Sequence, residues 1–493
     1  MVRYSANSQL RSYFVGATVN LAAWVFIVGW ISSTYFDEVA EVATEHSWTL
    51  NALALIALWR YLWIGTHYCR ALIYQYITFP RLRMEAVAAP KASHIYIVVL
   101  SYRMDAGVNG AVYTALARAI RNYGCWGTIV ACVSDEADVK VLSSLELPYC
   151  VRLVGLQQSG RGKRDAIERG LTFLANESIP PNSYVALVDG DSIVAPDTFN
   201  HTLPLLMNNP NVGALTTDNV PAVWGSDLLR QWYWVRMQHR HILMCSLALS
   251  RKLLVLTGRF SLFRADIALS RAFIARVGRD SITHWRLGRI KMLTGDDKST
   301  WFAVLKEGQE MLYVPDVQVV CLEKAISEHL VSSTIPLMVR YFGNMARNNG
   351  RAIKLGPHRV GWFAWWCLVD QRLSPWTTML GPVAAIISSF VLWPGTLVAY
   401  LCWAFSTRTM QSILIGGIAG RVHPYMPFIL MYNQMTGAVV KVFMFFNLDR
   451  QKWTRQDTGK SKRETEYSSA MMMWASMAVL TVAVSLFVIT TLG

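Results

Sequence analysis

The sequence predicts an α/β domain with a mostly parallel sheet, embedded in a bundle of membrane-spanning helices. Three observations carry that prediction. Hydrophobic residues make up 53% of the 493 and charged residues only 16%, whereas soluble chains carry roughly 25% charged residues. Long apolar runs gather at both ends of the chain. Between them, short apolar runs alternate with amphipathic stretches, the rhythm of βαβ units.

The formal net charge of +15 is spread over the flanks of the apolar runs and the middle of the chain, without a basic tail. That distribution suits anionic lipid and an acidic substrate, not nucleic acid. The eight cysteines (Cys69, Cys125, Cys132, Cys150, Cys245, Cys321, Cys367 and Cys402) are widely spaced and form no CxxC pair. Neither a zinc site nor a disulfide framework is expected, which fits a reducing cytosol.

The first apolar run covers residues 13–31 and follows only Arg3 and Arg11. It lacks a small-residue cleavage site and reads as an anchor. The second, residues 48–66, contains Arg60, which must face protein or water. An acidic loop with Asp37, Glu38, Glu41 and Glu45 separates the two, and Arg70, Arg81, Arg83 and Lys91 follow. Positive charge favours the cytosolic side. The N-terminus and everything beyond this pair, which occupies residues 1–90, are therefore expected there.

Residues 91–352 form the α/β domain. Its strand-like runs are 94–100, 128–133, 150–154, 184–188 and 212–216, and segments 107–123 and 163–176 read as helices. Ligands of such sheets collect at the carboxyl ends of the strands. An interfacial segment, 353–375, leads to a span at 376–392, a Trp393-Pro394-Gly395 turn and a span at 396–418 holding Arg408. Residues 425–446 are interrupted by Asn433, Gln434 and Lys441 and read as an interfacial helix closing the unit 376–448. A basic, polar stretch at 449–462, within a cytosolic segment 449–466, precedes the last apolar run, 470–492, in the unit 467–493. An even number of crossings must separate two cytosolic regions, so five spans and a periplasmic C-terminus are expected.

Three motifs carry chemistry. Leu187-Val188-Asp189-Gly190-Asp191 ends an apolar strand in two carboxylates one residue apart. Such oxygen ligands suit Mg²⁺ or Mn²⁺, which would neutralise a diphosphate leaving group; an acidic turn is the plainer alternative. Thr294-Gly295-Asp296-Asp297-Lys298 offers Asp297 as a base for an acceptor hydroxyl, with Asp296 shaping its field. A helix cap is the alternative there. Gly160-Arg161-Gly162-Lys163-Arg164-Asp165 places glycines and cations at a helix start, an anion site in which Lys163 and Arg164 would hold a diphosphate. An ordinary basic turn is the rival reading. Arg340, Arg347, Arg351 and Lys354, with Arg286, Arg289 and Lys291, form a basic group near the membrane suited equally to an anionic polymer and to anionic lipid.

These motifs follow one another within one α/β domain that apolar runs bracket, and in that order they resemble the processive family 2 glycosyltransferases, the cellulose, chitin and hyaluronan synthases. The resemblance implies a GT-A-like fold, a metal and nucleotide site at Asp189 and Asp191, and Asp297 as base. It places Ser101 in the nucleotide-binding loop and Asp135 against the base. It matches Arg340 to the family's Q-x-x-R-W signature, here Leu337-Met338-Val339-Arg340-Tyr341, and Trp453 and Arg455 to a W-x-T-R gating element. Longer runs resemble the alginate-polymerising mannuronan synthases: Leu256-Thr257-Gly258-Arg259, His284-Trp285-Arg286-Leu287-Gly288-Arg289 and Leu448-Asp449-Arg450-Gln451 among them. That narrower resemblance implies a GDP-mannuronate donor and a growing β-1,4-polymannuronate. It also implies the bacterial inner membrane, a PilZ-domain partner that binds cyclic di-GMP, and periplasmic export proteins. A UDP-sugar polymerase and a non-catalytic export scaffold are the rival readings.

Overall fold

Strong β-formers, buried on both faces, make the centre of the sheet. The structure, a computed structural model, describes residues 6–45, 47–102, 104–133, 136–158, 162–391, 393–451 and 466–492. Its ten strands are β1 (His94–Leu100), β2 (Trp126–Val133), β3 (Val151–Gln157), β4 (Ser183–Asp189), β5 (Ser192–Ile193), β6 (Val212–Trp224), β7 (Phe260–Arg264), β8 (Ser281–His284), β9 (Gly288–Lys291) and β10 (Glu310–Lys324). Eight of them form one sheet in the order β3-β2-β1-β4-β7-β6-β10-β5, and β8 and β9 form a separate hairpin. β3, β2, β1 and β4 run parallel, as do β6 and β10, while β7 is antiparallel to both β4 and β6. The sheet is thus mostly parallel, as the βαβ rhythm predicts.

Ile95, Ile97, Val98 and Val99 of β1 and Val185, Ala186 and Val188 of β4 are inaccessible to solvent. Near-continuous apolar strands of this kind mark a sheet covered on both sides. The helix Ala106–Tyr123 starts where the Asp105 side chain accepts from the backbone N–H groups of Gly107 and Val108, and it stops at left-handed Gly124. Both ends follow ordinary capping chemistry.

Outside this domain the long helices among the described residues are Ala6–Glu45, Ser47–Ile73, Trp362–Val391, Gly395–Ala419, Met426–Phe446 and Glu466–Leu492. The expected spans all fall on these helices. Among the described residues, Arg11–Tyr35, Met426–Phe446 and Tyr467–Leu486 are long and apolar enough to cross a membrane. The chain is a membrane protein on this ground. Met426–Phe446, read from sequence as interfacial, meets that length and composition, yet it is the most buried of the three.

Arg60 forms an ion pair with Asp370 of helix Trp362–Val391, so the cation in the second expected span has an internal counter-charge. Arg408 donates to Gln411 Oε1 at 3.1 Å. After Met426–Phe446 the chain returns to the α/β domain. Arg347 Nη1 donates to the Leu448 carbonyl at 2.8 Å, and Gln451 Oε1 accepts from Leu293 N at 2.9 Å. All eight cysteines are free thiols.

Candidate functional site

The three motifs meet at the carboxyl end of β4. Asp189 is the last residue of that strand, in register with Leu100 of β1. Gly190 N donates to the Leu100 carbonyl at 3.0 Å, and a Cβ on Gly190 would stand 2.6 Å from Ser101 Oγ. Only glycine fits so close an approach. The Asp191 carbonyl accepts from Leu322 N at 2.9 Å, which clamps the acidic turn between β1 and β10.

Lys163, first residue of the helix Lys163–Ala175, ties the turn to the second acidic motif. Its Nζ lies 2.7 Å from Asp189 Oδ1 and 2.7 Å from Asp296 Oδ2. A Cβ on Gly258, in the loop before β7, would lie 3.0 Å from Lys163 Nζ and 3.1 Å from Asp189 Oδ2. Leu100, Leu256, Gly258, Asp296, Asp297 and Thr300 line one small cavity here.

The electrostatics separate the carboxylates. Burial alone would lower Lys163, but Asp189 and Asp296 outweigh it and hold the ammonium charged. Burial pushes Asp296 up, and the charges of Lys163 and then Arg164 reverse this and hold it below the usual carboxylate range. Asp297 is raised, by burial first and then by the charge of Asp296, with Lys298 opposing. Burial and Asp189 push Asp191 up to about 6, and burial brings Lys298 down to about 8. Adjacent groups with opposite shifts are how a site divides acid, base and electrostatic roles.

The acidic pair is held by a buried polar lattice. Gly295 is left-handed at φ +78°, and a Cβ there would meet Asn344 Cγ at 2.8 Å. Thr294 Oγ1 donates to Asn344 Oδ1 at 2.6 Å, and Arg347 Nη2 donates to the same oxygen at 2.6 Å. One helix turn on, Ser299 Oγ donates to Asp280 Oδ2 at 2.5 Å, and Arg351 binds both Asp280 oxygens at 2.7 Å.

Asp189, Asp296 and Lys163 are therefore brought together, with Asp191 and Asp297 each one or two residues away in chain. Arg164, expected beside Lys163 on a diphosphate, is buried instead. It donates to the carbonyls of Val277 (2.8 Å) and Thr294 (2.9 Å) and to Ser299 Oγ (3.0 Å), so it fixes the acidic loop. Ser101 is likewise inaccessible, and its hydroxyl donates to Asn109 Oδ1 at 2.7 Å. It supports Gly190 from behind. Arg347 and Arg351, read with the basic group facing polymer or lipid, serve the lattice just described. Arg286 donates to the Phe446 carbonyl at 2.5 Å and to Ser469 Oγ at 2.9 Å, joining the β8–β9 hairpin to the helices. Arg340 Nη2 donates to Tyr341 Oη at 3.2 Å. Asp135, Trp453 and Arg455 lie outside the described residues. Motif reading missed the supporting residues Asp280, Ser299 and Asn344, for which spacing gives no signal.

Comparison with known proteins gives the family. The profile of the family described as Glycosyltransferase like family 2 matches residues 90–351. The chain is 36% identical over 443 residues to a protein named Glycosyltransferase alg8 from Pseudomonas syringae pv. tomato, covering 88% of this chain and 90% of that one. It is 37% identical over 474 residues to Glycosyltransferase alg8 of Azotobacter vinelandii, covering 93% and 96%. A solved mannosyltransferase from Pyrobaculum calidifontis, in complex with GDP-Man and Mn²⁺, aligns with a TM-score of 0.45 at 18% identity. It covers 79% of this chain and 98% of its own, a likeness too loose to build on. The carboxylates gathered at the end of β4, the matched profile and two relatives similar over nearly their whole length lead to one assignment: this chain belongs to the family 2 glycosyltransferases and has their GT-A-like fold.

Proposed function

We propose that this glycosyltransferase polymerises GDP-mannuronate, processively and with inversion, into β-1,4-linked polymannuronate, the precursor of alginate. The product passes across the bacterial inner membrane, with the catalytic domain on the cytosolic side. The observation that carries this reading is Lys163 Nζ held 2.7 Å from both Asp189 and Asp296, which unites the three motifs in one cleft. Similarity to the alg8 glycosyltransferases supports the alginate assignment.

Asp189 and Asp191 present hard oxygen donors, the chemistry that Mg²⁺ and Mn²⁺ prefer. The crowding that raises Asp191 is relieved by a nearby cation. Among the described residues no three His, Cys, Asp or Glu side chains form a complete cage, so water and diphosphate oxygens would fill the shell. When bound, the ion supplies charge neutralisation to the departing diphosphate.

Asp297 is the base in this proposal. Its raised affinity for a proton suits removal of the acceptor hydroxyl proton. Asp296, kept ionised by Lys163, maintains that affinity and stabilises positive charge on the sugar. Lys163 adds a cation next to the leaving group. Asp135 against the guanine, Arg340 near the substrate, and Trp453 and Arg455 over the nucleotide complete the proposed site. A PilZ-domain partner that binds cyclic di-GMP and periplasmic export proteins belong to the same reading.

Membranes carrying Asp297→Asn, incubated with labelled GDP-mannuronate, are expected to make no polymer while holding as much inserted protein as wild type. Polymer from that variant would sink the catalytic reading and favour a scaffold. Parallel incubation with UDP-sugars tests the donor.

A further inference from the structure

A cluster of arginines lies beside the acidic cleft with too few anions to answer it. Arg259 follows Gly258, the residue packed on Lys163 and Asp189, and it forms an ion pair with Glu323. Tyr341 lies next, with the Arg236 guanidinium stacked on its ring at 3.8 Å from the centroid. The Arg340 guanidinium lies 5.0 Å from the centroid of the same ring. Arg236 and Arg240 are one turn apart on the same face of helix Asp227–Ala248. Arg240 Nη1 lies 3.0 Å from the Asn219 side-chain amide and meets its oxygen when that amide is turned to satisfy its neighbours.

Each of three guanidiniums has a buried nitrogen without a hydrogen-bond partner among the described residues: Arg236 Nη1, Arg240 Nη2 and Arg259 Nη1. The carboxylates nearby are few. Glu323 is paired with Arg259. Asp218 accepts from Tyr313 Oη at 2.7 Å and lies 3.5 Å from His241 Nδ1. Asp191, in the acidic turn, acts on Arg259 as well, and Cys321, Glu323 and Asp191 together hold that guanidinium charged against burial, so Arg236 and Arg240 are the less answered pair. Burial pulls Arg240 below the usual arginine range, against the opposing pull of Tyr313 and Asp218. A buried donor left unmatched costs more than a matched one returns, so such a group is suited to an anion that arrives with a ligand. A guanidinium fork fits a carboxylate in particular.

We propose that Arg236, Arg240 and Arg259 form a carboxylate-binding subsite that reads the uronate group of the sugar. This rests on the polymannuronate reading above. A diphosphate is the less suitable occupant, because its place in that reading is at Lys163, Asp189 and Asp191, on the near side of Arg259. The uronate can belong to the donor or to the acceptor end of the polymer, and kinetics separate the two.

The test uses full-length enzyme in native membranes. Arg236→Gln, Arg240→Gln and their combination are assayed with GDP-mannuronate and with mannuronate oligomers as acceptors. GDP binding is measured alongside. The double variant is expected to lose about tenfold or more in kcat/KM, the scale of a lost charged hydrogen bond, with GDP binding unchanged. A raised KM for GDP-mannuronate places the donor's uronate in the subsite. An unchanged donor KM with slower oligomer extension places the acceptor's there. Kinetics within twofold of wild type on both substrates overturn the proposal. If the Gln variants fail to assemble, Arg236→Lys with Arg240→Lys decides it: a partial loss supports the subsite and unchanged kinetics reject it. A wild-type enzyme that ignores GDP-mannuronate but uses another nucleotide sugar rejects the function itself, a result separate from any failure of the arginine variants.

Discussion

Asp296 and Asp297 are neighbours in the chain, yet one carboxyl is lowered and the other raised. The sign of the resulting pH dependence follows directly. A base acts only when ionised, and Asp297 holds its proton to a higher pH than an ordinary carboxyl. Activity should therefore fall, as pH drops, at a point above the ordinary carboxyl value of about 4. A profile of kcat/KM against pH checks this, and a limb at or below that value would remove Asp297 from the role. The place of Asp189 and Asp191 at the end of β4 was legible in the sequence because an apolar run ending in carboxylates marks the ligand side of a parallel sheet, whereas Asp297 was picked out by its own acidic pair at a helix start. The partition between Lys163 and Arg164 was not. Adjacent helix residues point about 100° apart, and only tertiary packing decides that one meets the cleft and the other the carbonyls of Val277 and Thr294. Ser101, expected in the nucleotide-binding loop, was hidden for the same reason: it lies beside Gly190, but its hydroxyl turns inward to Asn109.

At the level of elements, helix Leu330–Ile353 is the brace of the site. Arg351 grips Asp280, which has a fully inaccessible side chain, and Asp280 in turn accepts from Ser299 on the helix that begins with Asp296. Removing one member of a buried pair typically costs about 3–5 kcal/mol. Arg351→Ala should destabilise the purified protein by that order, read as a lowered unfolding temperature in detergent, whereas replacing Arg351 and Asp280 together by apolar residues should recover part of it. Burial raises Asp280, but Arg351 and Ser299 more than reverse it. Its contribution is thus present above the unfolded carboxyl pKa and is lost as pH falls through the lowered folded value. Gly295→Ala should act differently. Left-handed backbone and Asn344 at 2.8 Å force the acidic pair to move, so transfer should fall in initial-rate assays even where the folded protein persists. The parallel strands β1 to β4 were readable as compact apolar runs. β7, β10 and the far half of β6 were not: β6 and β10 carry Pro221 and Pro315 and polar residues, and the β10 register breaks between Val314 and Gln318. Their pairing comes from distant segments and leaves no local period.

For the molecule as a whole, the hydrogen bonds from Arg347 to Leu448 and from Leu293 to Gln451 keep the segment after Met426–Phe446 on the same side as the α/β domain. Any arrangement of helices between residues 352 and 448 must respect that. The sequence expectation, with crossings at Trp362–Val391 and Gly395–Ala419 and an interfacial Met426–Phe446, is one arrangement that satisfies it, although Met426–Phe446 is the one of these three that is long and apolar enough to cross among the described residues. A reporter fused at the C-terminus is then expected on the opposite face from one inserted in the α/β domain, and reporters on the same face would reject five crossings. The apolar runs made the helices legible, but not which of them cross, because hydropathy alone does not distinguish a lipid-facing helix from one packed against protein.

The shared ammonium of Lys163 has an effect on assembly as well as on chemistry. One side chain bridges two acids drawn from stretches of chain more than a hundred positions apart, so the arrangement is complete only when both stretches are in place. On the function proposed above, Lys163→Gln should therefore silence polymer formation and acceptor-free GDP release together, since both acids lose their shared cation.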